Sequence, residues 1–251
     1  MAKIIAVVNQ KGGVGKTTTS VNLTAALQAL GKKVLLCDFD PQANATSGLG
    51  VDKRKLRASV YDVVVNETPV EEAIVSTPYG DVLPSSPDLA GAAVELISME
   101  APTQKLKQAL DVIKDRYDLI LIDCPPSLEM LTLNALAAAE GILVPVQCEY
   151  YALEGLTDLM NTLRLVKKRI NPHLEIFGVA LTMFDGRTNF SNQVAQEVRR
   201  HFPGKVFATV IPRNVRLAEA PSHGLPVTVY DKYSRGAEAY KAMAEEVKKK
   251  L

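Results

Sequence analysis

The run Lys3-Ile-Ile-Ala-Val-Val8, followed by Asn9-Gln-Lys-Gly-Gly-Val-Gly-Lys-Thr-Thr18, constrains the fold more than any other stretch of the chain. An almost unbroken apolar run reads as a strand buried on both faces. It passes directly into a glycine-rich turn and then into a helical pattern over 17–30. Gly12, Gly13 and Gly15 let the backbone curl and turn successive N–H groups inward, which makes a nest for an anion. The N-terminus of the following helix adds its positive dipole end. In such a loop Lys16 reaches the β- and γ-phosphates of a nucleotide and Thr17 offers a hydroxyl to Mg2+. Thr18, one residue on, is placed to donate to the α-phosphate. The common spacing G-x-x-x-x-G-K-[ST] calls for glycine at position 10, where this chain has Gln10. It also carries a second cation, Lys11, at a position where the motif tolerates anything.

Apolar runs and helical patterns alternate along all 251 residues. Strands are expected at Lys3–Asn9, Lys33–Asp38, Asp81–Pro84, Asp118–Asp123, Gly141–Gln147, Ile176–Met183, Val206–Ile211 and Pro226–Val229. Helices are expected at about 17–30, 88–114, 129–139, 152–170, 190–201 and 235–250. The alternation predicts an α/β fold, a mostly parallel twisted sheet with helices on both faces, as one domain over 1–251. Ligands of open parallel sheets bind at the carboxyl ends of the strands. Six loops with chemically useful residues open there: Lys11–Thr18, Asp38 with Asp40, Asp123, Glu149-Tyr150-Tyr151, Asp185-Gly-Arg187 and Pro212-Arg-Asn214.

"LILIDCPPS" places Asp123 after four apolar residues, the layout of a strand whose carboxylate holds Mg2+ through water. In "DFDPQANATSG", Asp38 and Asp40 are two residues apart and share a strand face. Asp40 is read as positioning the attacking water. Asp38 is read as belonging to the outer magnesium shell, or else as capping the strand and turn.

Three scattered cysteines (Cys37, Cys124, Cys148), without C-x-x-C spacing, fit a reducing cytoplasm and read as small buried hydrophobes. No run approaches the ~18–20 apolar residues of a spanning helix, and no signal-peptide layout is expected. The net charge of +1 hides an asymmetry. Residues 1–160 hold 13 Lys/Arg against 20 Asp/Glu, and residues 161–251 hold 16 against 8. A basic third can hold an anionic polymer while the rest stays off it, although any single cluster can equally be a solvated helix face.

Together, "KGGVGKTT" with the extra lysine, "DxDPQxNAT", "IDCPPS", "PVQCEYYALEG" and "VIPRNVRLAEAPSHG" resemble the ParA/Soj partition ATPases, P-loop NTPases of the MinD-like group with a deviant Walker A loop. The resemblance runs over essentially the whole chain. It implies an ATP- and Mg2+-dependent ATPase with catalytic Lys11, Lys16 and Asp40. Its nucleotide loop would be Lys11, Gly12, Gly13, Val14, Gly15, Lys16, Thr17 and Thr18, and its metal site Thr17, Asp38 and Asp123. Pro212 and Asn214 would meet the adenine ring, Asn214 having both the donor and the acceptor to read it.

The resemblance also answers the question of Lys11. In the family this lysine reaches the phosphates of a partner's nucleotide, so that two ATP molecules are sandwiched in a homodimer. Arg187 and Arg216, on predicted loops, match positions used to hold double-stranded DNA non-specifically. A ParB-type centromere-binding partner is implied as activator, with slow intrinsic turnover and a cytoplasmic, nucleoid-associated protein acting in chromosome or plasmid segregation. Glu149, Tyr150 and Tyr151 line the dimer side of the site or pack in the core.

The alternative is a MinD-type membrane ATPase. It would need an amphipathic tail, whereas Tyr240, Met243, Ala244 and Val247 form a short stripe without Trp or Phe that reads as core packing. An iron-sulfur redox enzyme is disfavoured by the cysteine placement, and a metabolic kinase by the lack of an acceptor pocket.

Overall fold

Strand residues divide alternately between two cores, one on each face of a single sheet. In the strand Leu119–Asp123, Ile120 and Ile122 enter one core, while Leu119 and Leu121 enter the other. The structure, a computed structural model, describes the whole chain except residues 150 and 151 and the side chains of 152–155.

The described residues form seven strands, β1 (Lys3–Val7), β2 (Val34–Asp38), β3 (Val75–Thr77), β4 (Gly80–Leu83), β5 (Leu119–Asp123), β6 (Gly141–Gln147) and β7 (Glu175–Thr182). Their order is β3-β4-β2-β5-β1-β6-β7, and among the described residues only β3 runs antiparallel to its neighbour. The helices are α1 (Lys16–Ala29), α2 (Asn44–Gly48), α3 (Val60–Val64), α4 (Val70–Ala73), α5 (Leu89–Ile97), α6 (Lys105–Ile113), α7 (Met130–Ala138), α8 (Ala152–Arg169), α9 (Asn189–His201), α10 (Val215–Glu219), α11 (Val227–Tyr230) and α12 (Arg235–Lys248). One core gathers α3 to α9, and the other gathers α1, α2 and α12. This is the expected fold class, with β1 an interior strand flanked by β5 and β6.

Tyr240, Met243, Ala244 and Val247 of α12 are buried in the second core, where the Tyr240 hydroxyl meets that of Thr19 at 3.0 Å. Cys37, Cys124 and Cys148 are free thiols, all buried. Among the described residues no helix is long and apolar enough to cross a membrane.

Three expected elements are corrected, and one strand was not expected. The segment Val206–Ile211 lies beside β7 but forms only isolated bridges, at Val206 and at Pro212. The Ala208 and Thr209 amides turn to the Glu246 carboxylate of α12, both at 2.8 Å, and so leave the ladder. Pro226–Val229 is not a strand. Pro226 caps α11, and the Val227 amide donates to Asn22 Oδ1 at 2.7 Å. The single helix expected over 88–114 is two helices, α5 and α6. Pro102 lies between them, disfavours helix at Ala101, and gives its carbonyl to Asn134. The antiparallel β3, paired through the Thr77–Gly80 turn, was not anticipated; at three residues it is too short to show a period.

Candidate nucleotide site

β1 delivers the glycine loop to the middle of the carboxyl edge. Gly13 (φ 73°) and Gly15 (φ 90°) adopt the left-handed region that side chains resist. The loop is tied down from two strands. Asn9 donates through Nδ2 to the Pro145 carbonyl of β6 at 2.7 Å and accepts from the Lys11 amide at 3.0 Å. Thr182, at the end of β7, donates to the Val14 carbonyl at 2.8 Å. Neither anchor stood among the sequence candidates, because both depend on strand order.

Lys16 opens α1 and is 7% exposed. Its ammonium donates to the carbonyls of Asn9 (3.0 Å) and Lys11 (3.2 Å), closing the loop on itself. Burial pulls its pKa down, opposed by the Asp123 carboxylate. Lys11 behaves differently. It is partly exposed, and its ammonium lies 3.8 Å from the Glu149 carboxylate.

The sheet register sets Asp38 directly opposite Asp123, and both are wholly buried. Burial is the main reason both pKa values are raised; Asp38 adds to the rise at Asp123. Asp123 Oδ1 accepts from the Ser20 hydroxyl at 2.9 Å, but Oδ2 is buried without a hydrogen-bond partner. Asp38 is better satisfied. Its Oδ2 accepts from the amide and hydroxyl of Thr46, both at 2.7 Å, and its Oδ1 from the Asp40 amide at 3.3 Å. Asp40 itself is partly exposed and accepts from the Gln42 amide at 3.0 Å.

Beside the loop lies a cavity of about 550 Å3 lined by Gly15, Thr18, Met183, Pro212, Asn214 and Tyr240. Met183 and Tyr240 were not anticipated there. Asn214 caps α10, its Oδ1 accepting from the Arg216 amide at 2.8 Å. The donor half of its side chain is therefore the freer half for recognition. A cavity of similar size (about 520 Å3) at the opposite end of the strands is lined by Lys33, Glu71, Asp81, Arg116 and Tyr117. There Arg116 pairs with Glu71 and the Tyr117 hydroxyl with Asp81.

Arg187 lies on the loop after β7, as expected, and grips Asp185 through Nε (2.9 Å) and Nη2 (2.7 Å). Those hydrogen bonds pull Asp185 down to about 2. Arg216 is in the helix α10 rather than on a loop, because Asn214 caps a new turn just before it. It pairs with Glu219 at 2.7 Å and Asp231 at 3.3 Å. Glu149 is described, whereas Tyr150 and Tyr151 lie outside the described residues.

A family model for an AAA domain matches residues 2–176. The sporulation initiation inhibitor protein Soj of Bacillus subtilis is 57% identical over 98% of each chain. The chain belongs to the ParA/Soj family. Among solved structures similar to this ParA/Soj chain is a cobyrinic acid a,c-diamide synthase from Mycobacterium smegmatis with bound ADP and magnesium. It is 38% identical with a TM-score of 0.85, over 98% of this chain and 93% of that one. The septum site-determining protein MinD from Pyrococcus horikoshii, complexed with Mg-ADP, is 32% identical with a TM-score of 0.82, over 99% and 97%.

Proposed function

We propose that this ParA/Soj protein is a Mg2+-dependent ATPase that dimerises around ATP and binds double-stranded DNA non-specifically as the dimer. With a ParB-type partner it drives chromosome or plasmid segregation in the cytoplasm, on the nucleoid. The observation that carries the reading is the division of labour between two lysines of one loop. Lys16 is buried under its own loop carbonyls, whereas Lys11 stands outside in a solvent-facing pair with Glu149. Such a pair is weak in water and readily exchanged for a triphosphate. A cation offered to a second nucleotide makes ATP a dimerisation ligand, in the manner of an arginine finger supplied by another subunit. Loss of the γ-phosphate then loosens the dimer.

The donor set fits magnesium. Two buried carboxylates face each other, and one has an oxygen with no partner, an arrangement that a cation relieves. Thr17 and Asp123, with Asp38 behind them, would hold the ion, which when bound neutralises charge on the β- and γ-phosphate oxygens. The inward N–H groups of Gly12 to Thr18 and the Lys16 ammonium orient the phosphates. Asp40 orients the attacking water. The cavity of Pro212 and Asn214 takes the base. Arg187 and Arg216 hold DNA through its phosphates, exchanging their carboxylate partners for them, so binding carries little sequence preference and falls steeply with salt. A dimer doubles these contacts on one body.

Sedimentation with a non-hydrolysable ATP analogue, with ADP and with no nucleotide is the test. A dimer is expected only with the analogue; single chains at saturating analogue overturn the reading. The paired change Arg187→Glu with Arg216→Glu is expected to lower DNA affinity by about two orders of magnitude near 0.1 M salt. The ATP-dependent dimer should persist. Undiminished DNA binding removes both arginines from the interface.

A further inference from the structure

Thr46 is buried beneath the turn that carries Asp40. Its hydroxyl donates to Asp38 Oδ2 at 2.7 Å and accepts from the Ser85 amide at 3.0 Å, and its own amide donates to the same Oδ2 at 2.7 Å. The other oxygen, Asp38 Oδ1, accepts from the Asp40 amide. One carboxylate therefore ties the start of the turn, at Asp40, to Thr46 in the helix α2 that follows it. Between them Ala43 sits at φ 52°, and its amide donates to the Asp40 carbonyl at 2.8 Å. A left-handed alanine persists only where its surroundings over-determine it. Ser85, just beyond β4, adds an anchor from the adjacent strand. A hydroxyl has one proton. Here it goes to Asp38, so a lone pair remains for Ser85, and the direction of the chain of bonds is fixed.

We infer that Thr46 is a positioning residue for hydrolysis: by holding Asp38 against the Asp40 amide, it fixes where the Asp40 carboxylate stands. This rests on the reading of Asp40 as the group that orients water. Thr46 touches no reactant. Valine has nearly the same shape but a side chain with neither donor nor acceptor: Asp38 Oδ2 keeps the residue-46 amide and loses the hydroxyl, and the Ser85 amide loses its acceptor. Misplacing a reacting group by a fraction of an ångström slows the chemical step while leaving substrate binding largely alone.

The experiment compares parent, Thr46→Val, Thr46→Ser and Asp40→Ala by ATP turnover and by titration with a fluorescent ATP analogue. Thr46→Val is expected to lower kcat by about 10- to 100-fold with KM for ATP within about threefold. Thr46→Ser, which restores both hydrogen bonds, is expected to return to within about threefold of the parent. Parent-like turnover in Thr46→Val overturns the inference. So does a Thr46→Ser as slow as Thr46→Val, which assigns the effect to the lost methyl group. If Thr46→Val does not fold, Thr46→Ala introduces no clash and is set against Thr46→Ser by the same criteria. A slow Asp40→Ala beside a parent-like Thr46→Val removes only this inference. A parent-like Asp40→Ala removes the underlying reading and this inference with it.

Discussion

Lys16→Ala is expected to abolish ATP binding. The ammonium lies in a nearly closed pocket of its own loop, 3.0 Å from the Asn9 carbonyl and 3.2 Å from that of Lys11. It is thus held ready where phosphate oxygens would replace those carbonyls. Hydrogen bonds to charged groups contribute roughly 1.5–3 kcal/mol each. Losing two of them removes roughly 3–6 kcal/mol, or about two to four orders of magnitude in affinity. Burial disfavours the charged lysine, opposed by the Asp123 carboxylate, and a bound triphosphate would offset the desolvation further. Alanine also releases the two carbonyls that the ammonium joins, and nucleotide-free protein should melt slightly earlier. Titration with a fluorescent ATP analogue decides the matter. Affinity within threefold of the parent overturns the assignment of the phosphate site.

Asp40→Ala should separate binding from hydrolysis. The Asp40 amide donates to Asp38, and its carbonyl accepts from the Ala43 amide, and both bonds belong to the backbone. The substitution deletes only the carboxylate and its bond from the Gln42 amide, so the turn should keep its shape. Turnover is expected to fall by about 10²-fold or more, the range for a lost positioning or acid–base group. ATP affinity should hold. The protein should then accumulate as a DNA-bound dimer, seen by sedimentation with ATP and duplex DNA. A variant that stays monomeric with saturating ATP counts against Asp40 as the water-positioning group.

The loop, the paired aspartates and the central strands were legible because their signals are local. Glycines at left-handed positions, an aspartate after four apolar residues and a two-residue spacing can each be read within ten positions. Apart from the short hairpin strand β3, most of what escaped was decided at long range. Glu246 draws two amides away from β7, Asn22 takes the Val227 amide, and Asn134 takes the Pro102 carbonyl. None of those partners lies near its target in sequence. At the site the same division holds. The groups expected to face phosphate and metal carry motif residues, while Asn9, Ser20 and Thr182, which brace them, are ordinary polar residues until the sheet order brings their partners alongside. Thr46 lies within a motif, but its bond from the Ser85 amide depends on the adjacent strand. Asn214 shows a second limit. An asparagine before a helical turn also reads as a cap, and in this fold the capping bond occupies its acceptor.

The grip of Glu246 on Ala208 and Thr209 has a wider reach than one misread strand. Those amides belong to the segment that leads into Pro212 and Asn214, so a carboxylate in the closing helix acts as a bracket for the wall beside which the base is proposed to lie. Tyr240, two turns earlier on the same helix, forms part of that wall directly. The dimensions of the cavity proposed to take the base are thus set in part by α12, and a change at Glu246 is expected to alter nucleotide preference from outside that cavity.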